Sequence, residues 1–500
     1  MSHFDVVIVG AGLSGIGAAV HLQKHCPGKT YTILESRPSL GGTWDLYRYP
    51  GIRSDSDMHT LGYNFKPWIE RKSIAEGPAI LNYVNETADE HGVLQHIRFQ
   101  RRLDGASWSS EEARWTLDVA CTDGEEDGEE KASEPITCNF VLMCSGYYSY
   151  DTPYRPSFPG EEDFEGEMFH PQLWPEDLDY KGKRVVVIGS GATAMTIIPS
   201  MADDVEHITM LQRSPTYVAS RPWEDWIANT LRKFLPDMLA YNITRWKNIT
   251  LQGRVYDRTR TQPEKIKNFL LKRVRKQLGP DYDVEKHFTP SYNPWDQRLC
   301  LIPDGDLFQA INSGKASVVT DKIECITKKG IRLESGEELD ADIIVVATGL
   351  NMKLLGGAQF EVDGAPVQFP ETFTYKGMLY SDVPNLVQTF GYINASWTLR
   401  ADLTAEYTCR LLNRMAELGA RQVTPRLQPE DQNMPKLPWI QDFSAGYMQR
   451  VMHLFPRQGD HAPWQNTQNY SKDMKMVRDA PLEDGRLIFD NPAKAESHVA

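Results

Sequence analysis

A strand, a glycine-rich turn and a helix open the chain, and no other feature of the sequence constrains its fold as strongly. The segment FDVVIVGAGLSGIGAAVHLQKH predicts a buried strand at residues 6–9, a turn with the pattern GxGxxG and a helix from about Leu13. The glycines of such a pattern suit a tight turn, a close approach to a pyrophosphate and close packing of helix on strand. Here they are Gly10, Gly12 and Gly15. A second strand, YTILE, ends in Glu35, whose carboxylate can accept a hydrogen bond from a ribose hydroxyl. The order of these parts predicts a Rossmann-like dinucleotide site.

The same arrangement returns in the middle of the chain. KRVVVIGSGATAMTIIPSMA predicts a strand at residues 185–187, a GxGxxA turn and a helix. The residues expected to meet the second pyrophosphate are Gly189, Ser190, Gly191, Ala192, Thr193, Ala194 and Met195. The next strand carries Gln212 where the first site has Glu35, and Arg213 follows it directly. A guanidinium in place of the acid favours the 2′-phosphate of NADP, although an isolated arginine would more often be a solvated surface charge.

Two such motifs in one chain predict an α/β flavoprotein with two Rossmann-like dinucleotide-binding domains, one for FAD and one for NADPH. Glu35 assigns FAD to the first site, and Arg213 assigns NADPH to the second. Buried strands within residues 137–150 and 339–351 end in Ser-Gly and Thr-Gly, as expected where the chain crosses between domains. The predicted division is an FAD domain at 1–150, a linker at 151–180, an NADPH domain at 181–338 with a helical insertion at about 220–285, and a return to the FAD domain with a tail at 339–500.

Composition excludes several other classes of protein. With 500 residues, the chain is expected to form more than one domain. The formal net charge of −14 argues against a dedicated nucleic-acid binder. The seven cysteines form no CxxC or CxxxxC pair, which excludes a disulfide reductase of related fold and indicates neither a metal site nor a disulfide framework. No apolar run reaches about 18 residues, so we expect a cytoplasmic enzyme.

The linker contains a motif that resembles the fingerprint of a known family. In FEGEMFHPQLWP, residues 164–175, the spacing FxGxxxHxxxWP resembles the fingerprint of Baeyer–Villiger monooxygenases, whereas related flavin-containing monooxygenases usually have Tyr or Phe in place of Trp174. GGTWDLYRYPGIRSD, residues 41–55, is similar to the flavin-contacting loop of that family. The resemblance runs nearly the full length. It is closest to the ethionamide-activating, thioamide-oxidising branch, through YNPWDQRLCLIPDGDLF, LQRSPTY and GYINASWTLRADL.

The resemblance implies a reaction and two catalytic residues. In this family a C4a-peroxyflavin transfers one oxygen atom of O2 to a ketone or to a soft sulfur atom. Arg298 matches the active-site arginine, whose fixed charge stabilises a peroxyanion. Asp55 matches the carboxylate that pairs with this arginine near the flavin. From residue type alone, an ordinary salt bridge and a turn cap would be the better interpretations of these two residues.

Other positions are carried over from the family one by one. The positions that match FAD contacts, besides Gly10, Gly12, Gly15, Glu35 and Asp55, are Thr43, Trp44, Asp45, Leu46 and Leu103. Those that match NADP contacts, besides the second glycine turn and Arg213, are Arg53, Ser54 and Ser214. The chain departs from the family at Gln297, where many members have a lysine that also reaches the 2′-phosphate. Binding of the 2′-phosphate is then expected to depend mainly on Arg213, with additional contacts from Ser214 and Thr216. The preference for NADPH over NADH is therefore expected to be weaker.

Three further segments lie outside the motifs. Residues 231–280 carry thirteen Lys/Arg against three Asp/Glu, and PEKIKNFLLKRVRKQLG predicts an amphipathic helix. The plain interpretation is a helical excursion of the NADPH domain with a solvated face, and the alternative is peripheral membrane contact or self-association. The acidic run at 123–130 predicts a hairpin tip, and the proline-rich tail from about Gln422 is expected to wrap the FAD domain.

Taken together, the sequence predicts an FAD- and NADPH-dependent monooxygenase that converts ketones to esters or lactones and oxygenates sulfides or thioamides. Its partners would be the small substrate and O2, with no nucleic acid and no metal. One alternative is an S/N-oxygenating flavin monooxygenase with little Baeyer–Villiger activity. Another is a nucleotide-binding redox sensor, which would bind cofactors without NADPH-driven oxygen turnover. His170 of the linker is interpreted as a hydrogen-bonded loop residue that helps to couple the domains, and not as a catalytic residue.

Overall fold

The computed structural model describes residues 2–122, 135–441 and 443–491. Its strands, in chain order, are β1 (Ser2–Val9), β2 (Tyr31–Leu34), β3 (Ile97–Arg98), β4 (Arg101–Ser109), β5 (Arg114–Cys121), β6 (Ile136–Met143), β7 (Glu167–Phe169), β8 (Arg184–Ile188), β9 (His207–Gln212), β10 (Tyr217–Arg221), β11 (Leu299–Pro303), β12 (Ala316–Thr320), β13 (Ile323–Thr327), β14 (Gly330–Leu333), β15 (Glu338–Asp340), β16 (Ile343–Val346), β17 (Gln359–Val362), β18 (Ala365–Pro366), β19 (Thr374–Tyr375), β20 (Leu379–Tyr380), β21 (Leu386–Gln388), β22 (Gln422–Pro425) and β23 (Leu487–Asp490).

The described helices, in the same order, are α1 (Leu13–His25), α2 (Thr43–Leu46), α3 (Met58–Leu61), α4 (Gly77–Glu90), α5 (Ala192–Met201), α6 (Trp226–Leu231), α7 (Asp237–Thr261), α8 (Pro263–Leu278), α9 (Val284–Phe288), α10 (Asp306–Asn312), α11 (Trp397–Leu418), α12 (Gly446–Gln449) and α13 (Tyr470–Arg478).

The largest sheet has the order β18-β17-β4-β5-β6-β1-β2-β3, and β21 adds to it by pairing with β6. Its centre is parallel, since β1 pairs in parallel with both β2 and β6. The apolar run at the end of β1 is completely buried, as expected for a strand that is covered on both faces. We call this sheet and the helices packed on it, α1, α4 and α11, the first unit.

The second parallel sheet has the order β12-β9-β8-β16-β7. Together with α5 and α10, which pack on it, we call it the second unit. Its edge strand β7 comes from the linker: Glu167 to Phe169 pair with Ile343 to Val345 of β16. Residues 164–175 show neither a helical period nor an alternation and contain Gly166, Pro171 and Pro175, so the sequence pattern alone predicts a loop. This prediction is wrong for the three residues of β7. Three residues are too few to show a strand period, and the pairing with β16 stabilises them.

The two sheets are interleaved along the chain. The first sheet takes its strands from residues 2–143 and 359–388, and the second from residues 167–346. This connectivity agrees with an insertion of one unit into the other, and the domain boundaries at 150, 180 and 338 stay a prediction.

The helices α6 to α9 form the excursion of the second unit. Helix α7 packs on the first unit, where the Tyr241 hydroxyl donates to the carbonyl of Tyr63 at 2.9 Å. Elsewhere in the excursion, Trp226, Phe234 and Trp246 are 69–80% exposed. No described helix is long and apolar enough to cross a membrane. Peripheral membrane contact or self-association through residues 231–280 stays a prediction.

The C-terminal segment folds back over the first unit. Strand β22 pairs with β23, and the N–H of Val423 donates to the side chain of Asn385 at 2.7 Å. Trp439 and Phe455 of this segment pack with Phe390 in a buried cluster. The acidic run at 123–130, predicted as a hairpin tip, lies outside the described residues.

Candidate active site

A cavity of about 350 Å³ lies beyond the carboxyl end of β1, where parallel sheets commonly bind ligands. Predicted FAD residues that line it are Gly10, Gly12, Glu35, Thr43, Trp44, Asp55 and Leu103. The predicted NADP residue Ser54 and the catalytic candidate Arg298 line it as well. The structure thus brings together residues that lie nearly 300 positions apart in the sequence.

The first glycine turn fits a dinucleotide. Gly10 has φ +102°, and a Cβ there would lie 2.7 Å from the carbonyl oxygen of Cys144. A Cβ at Gly15 would lie 1.8 Å from the Gly10 carbonyl oxygen, so this glycine serves packing and does not line the cavity. A Cβ built on Gly12 would meet only the backbone of Gly42, at 3.6 Å, so the approach to the N-terminus of α1 is open.

Glu35 is fixed at the end of β2. Its two carboxylate oxygens accept from the N–H of Ala11 at 2.7 Å and of Arg37 at 3.0 Å. Burial raises the pKa of Glu35, although these N–H groups act in the opposite direction. The carboxylate lines the cavity next to the glycine turn, as a ribose-binding acid requires.

Besides Gly15, two predicted FAD residues, Asp45 and Leu46, do not line this cavity. The carboxylate of Asp45 lies 2.9 Å from both Arg37 and Arg48, and the Ser39 hydroxyl also donates to it. Leu46, the last residue of α2, is likewise absent from the described cavity wall. Asp45 therefore positions the loop that carries Thr43 and Trp44.

The second glycine turn fits NADP. Gly189 has φ +136°, and a Cβ there would lie 2.3 Å from the Ala347 carbonyl oxygen. No atom lies within 4 Å of a Cβ built on Gly191, so a phosphate can approach the residues that begin α5, Ala192 to Met195. Arg213 is exposed directly after β9, and no ion pair joins it to a carboxylate in the described part of the chain.

Ser214 and Thr216, which follow Arg213, are bound by hydrogen bonds to the second glycine turn. The Ser190 hydroxyl donates to the carbonyl of Ser214 at 3.2 Å and lies 2.9 Å from the hydroxyl of Thr216. The side-chain amide of Gln212 donates to His287 and Thr320 inside the second unit. Of these residues, Arg213 is therefore the one whose charged group is available to bind a phosphate.

Arg53 connects the flavin loop of the first unit to the second unit. Its guanidinium lies 2.5 Å from the Asp306 carboxylate and donates to the Met195 carbonyl at 3.3 Å. Burial raises the pKa of Asp306, and the charge of Arg53 counteracts this effect. Ser54 is buried and donates its hydroxyl to the carbonyl of Ser56 at 2.6 Å. Both residues thus lie where the two predicted cofactor sites meet.

Arg298 and Asp55 face each other across this junction. One guanidinium nitrogen of Arg298 lies 3.9 Å from an Asp55 carboxylate oxygen, which is a loose ion pair. The same nitrogen donates to the Ile393 carbonyl at 3.2 Å. The side chain of Arg298 is 33% exposed and that of Asp55 is 51% exposed. The predicted catalytic pair is therefore brought together without a direct hydrogen bond.

Three tyrosines around Arg298 were not predicted from the sequence. The Tyr147 and Tyr148 hydroxyls lie 2.8 Å apart, and Arg298 donates to Tyr147 at 3.5 Å and to Tyr447 at 3.4 Å. Burial raises the pKa of Tyr147 well above its ordinary value, which keeps this phenol protonated. Tyr147 and Tyr148 follow the end of β6, and this position could have indicated that they face a ligand. Tyr447 belongs to the C-terminal tail, where no sequence motif indicated a role in the site.

The linker histidine lies apart from this cluster. His170 is buried, its Nε2 lies 2.9 Å from the Gly349 carbonyl, and its Nδ1 accepts from the N–H of Gln172 at 3.1 Å. Burial lowers the pKa of His170, in agreement with a neutral ring. The side chain of Gln172 donates to the carbonyls of Ser149 and Tyr150. The linker thus joins the two segments that cross between the units.

A second cavity, of about 440 Å³, adjoins the first at Asp55 and Arg298. Its walls come from α7, α8, β10 and β11. On α8, the wall consists of Ile266, Phe269, Leu270, Arg273, Val274 and Gln277, which share one face of the helix. The amphipathic face predicted for this helix therefore lines a cavity whose wall includes the predicted catalytic pair.

Comparison with known proteins gives the family. Residues 73–355 match the flavin-binding monooxygenase-like family, and residues 8–71 match an NAD(P)-binding Rossmann-like domain. The FAD-containing monooxygenase EthA of Mycolicibacterium smegmatis is 53% identical, over 99% of this chain and 99% of its own length. The probable FAD-binding monooxygenase AlmA of Acinetobacter baylyi is 48% identical, over 98% of this chain and 96% of its own.

Solved structures agree on the fold. An oxidised steroid monooxygenase bound to NADP has a TM-score of 0.79 at 20% identity, covering 98% of this chain and 100% of that one. An open crystal structure of cyclohexanone monooxygenase has a TM-score of 0.70 at 22% identity, covering 86% of this chain and 91% of that one.

These findings confirm the predicted α/β fold with two dinucleotide-binding sites, the predicted enzyme class and the predicted resemblance to class B flavoprotein monooxygenases. More than half of the chain matches the family, and the curated relatives match it almost from end to end. The chain belongs to the flavin-binding monooxygenase-like family.

Proposed function

We propose that this protein is an FAD- and NADPH-dependent Baeyer–Villiger monooxygenase that converts ketones to esters or lactones and also oxygenates sulfides or thioamides. The observation that carries the proposal is the position of Arg298 beside Asp55, where the two cavities adjoin. FAD suits the first glycine turn with Glu35, and NADPH suits the second with Arg213. Curated relatives are FAD-containing monooxygenases, and the similar steroid monooxygenase was solved with NADP.

Bound FAD, reduced by NADPH, supplies an activated oxygen atom from O2. For a ketone, one C–C bond beside the carbonyl breaks and two C–O bonds form. The balance is ketone, O2, NADPH and a proton giving ester, NADP⁺ and water. A sulfide consumes the same reagents and gives a sulfoxide.

Arg298 suits the ketone reaction because it provides a charge that cannot be lost. A guanidinium stays protonated at all working pH values and can stabilise negative charge that develops on the reacting oxygen atoms. The carbonyl of Ile393 and the hydroxyls of Tyr147 and Tyr447 orient it. Asp55 is close enough to balance the charge while leaving the guanidinium hydrogens available.

S-oxygenation without Baeyer–Villiger activity is the second candidate. The 3.9 Å separation of Arg298 and Asp55 and their partial exposure favour it, since a loosely held charge stabilises an anion less well. The 53% identity to an FAD-containing monooxygenase agrees with either reaction.

Product analysis decides between the two. The holoenzyme would be incubated with NADPH, O2 and either phenylacetone or thioanisole, and ester and sulfoxide would be quantified. We expect both products, and we expect Arg298→Ala to lower ester formation by about a hundredfold or more. Sulfoxide without ester in the unchanged protein would establish the second candidate.

Arg254→Ala is the matched control, because Arg254 is an exposed arginine of α7 that lines neither described cavity. Its ester yield should equal that of the unchanged protein. Equal ester formation by Arg298→Ala and the control would remove Arg298 from the mechanism.

A further inference from the structure

The second cavity has an uneven distribution of charge. Four arginines line it, whereas Asp55 is the one carboxylate among the described residues of its wall. Because Asp55 already faces Arg298, the remaining guanidinium groups have no counter-charge inside the cavity. These remaining groups belong to Arg221, Arg258 and Arg273.

The three remaining arginines lie where the cavity meets solvent. Each of them is an exposed residue, and no ion pair joins any of them to a carboxylate in the described part of the chain. Arg273 lies over the ring of Phe269, 5.6 Å from its centroid, and Phe269 also lines the cavity. By contrast, the neighbouring arginines Arg260 and Arg275 are paired with Asp296 and Glu285.

Apart from these arginines, much of the wall is apolar. Leu270 and Val274 of α8 are buried, and Leu299 and Leu301 of β11 line the same cavity. The α8 part of the wall extends from Ile266 to Gln277, and these eleven steps along the helix correspond to about 16 Å. Such a wall suits an elongated apolar chain, and a carboxylate would suit its cationic edge.

We propose that this cavity binds substrates with an apolar chain that ends in a carboxylate, so that Arg258 and Arg273 bind the carboxylate while the ketone lies at Arg298. The inference rests on the proposed function and specifies its substrate class as oxo-carboxylic acids. A guanidinium pairs with a carboxylate through two parallel hydrogen bonds and is opposite in charge. The positive charge of residues 231–280, thirteen Lys/Arg against three Asp/Glu, would attract the anion towards the opening.

Binding can be tested without turnover. The holoenzyme, without NADPH, would be titrated calorimetrically with decanoate and with methyl decanoate. We expect decanoate to bind at least about tenfold more tightly, as charge-assisted hydrogen bonds imply. We expect the variant Arg258→Gln/Arg273→Gln to lose this preference. Equal affinity for the two ligands in the unchanged protein would overturn the proposal.

The matched control is Arg254→Gln/Lys272→Gln. It removes the same charge from the same two helices at exposed positions that do not line the cavity. The control should keep the preference for decanoate. A loss of the same size in both double variants would show general attraction by the basic helices and would overturn a specific carboxylate site.

Turnover separates the inference from the function on which it rests. With NADPH and O2, we expect 9-oxodecanoate to be converted with a kcat/KM at least about tenfold above that of its methyl ester, and we expect this ratio to approach one in Arg258→Gln/Arg273→Gln. A ratio near one in the unchanged protein would overturn the inference. If no ketone, 2-decanone included, is converted, the proposed function fails, and the decanoate titration still decides the binding site.

Discussion

Arg213 is the residue on which we expect selectivity between the two nicotinamide cofactors to depend. Its neighbour Gln212 uses its side-chain amide inside the second unit, and Ser190 uses its hydroxyl within the turn. Gln297 stands where many related enzymes have a second phosphate-binding lysine, as the sequence resemblance implies. We therefore expect a single exposed guanidinium to provide most of the attraction for a 2′-phosphate.

We expect Arg213→Gln to raise the KM for NADPH by roughly tenfold or more and to leave the KM for NADH within about twofold, because NADH has no 2′-phosphate to lose a partner. Steady-state oxidation of both cofactors would measure the change. Arg254→Gln, which removes an exposed arginine far from the turn in sequence, is the control. A similar rise in KM for both cofactors would contradict this role of Arg213.

At the scale of elements, strand β7 ties the linker to the second sheet. It follows Gly166, where a Cβ would lie 2.2 Å from the carbonyl oxygen of Asp342 and 2.7 Å from the ring of Phe164. The N–H of Glu167 donates to that same carbonyl at 3.1 Å. The glycine of the linker fingerprint thus permits the first contact between linker and sheet.

Gly166→Ala is expected to lower the free energy of unfolding by about 1–3 kcal/mol, since the added methyl group would force β7 away from β16. Urea unfolding of the holoenzyme would measure it. Gly253→Ala is the control: Gly253 lies inside α7 with no atom within 4 Å of an added Cβ, so the substitution should stabilise the helix by about 0.5–1 kcal/mol. If both variants are stabilised, the packing argument at Gly166 is wrong.

The elements that could be predicted are those with a strong local signal. The first glycine turn, with β1 and α1, and the second, with β8 and α5, lie where the patterns placed them. The apolar face of α8 was also predictable from its spacing, although its use as a cavity wall was not. Strand β7 was missed because its stability comes from a partner about 175 positions away, a contact that a local pattern does not contain.

At the scale of the whole molecule, Arg245 of α7 anchors the helical excursion to the first unit. Its guanidinium is buried and lies 3.2 Å from the Asp402 carboxylate of α11. It also donates to the carbonyls of His59 and Gly62, at 3.0 Å and 2.8 Å. A helix that lies within the sequence range of the second unit is thereby held on the first.

We expect Arg245→Leu to lower the free energy of unfolding by about 3–5 kcal/mol, because it leaves the Asp402 carboxylate buried without its guanidinium partner. Thermal and urea unfolding of the holoenzyme would both report the loss. Arg254→Leu, at an exposed position of the same helix, should change stability by less than about 0.5 kcal/mol. Equal stability of the two variants would show that Arg245 does not anchor the helix.

The candidate site was predictable only where it uses motif residues. Arg298 and Asp55 were identified by resemblance, and the structure brings them together. Tyr447 reaches Arg298 from the tail, and Ile393 reaches it from the segment before α11. Contacts of this kind form when separate segments fold onto each other, so composition and spacing could not have indicated them.

The second cavity is built from parts of both units, and this has a thermodynamic consequence. Its α7 wall is fixed to the first unit by Arg245, whereas β10 and β11 belong with the core of the second unit, which also carries the nucleotide turn at Gly189. Any displacement of one unit against the other changes the shape of the cavity and the distance between the two nucleotide sites together. Substrate and nicotinamide cofactor are then linked ligands: if one alters the affinity of the other, the reverse effect must be equal in size.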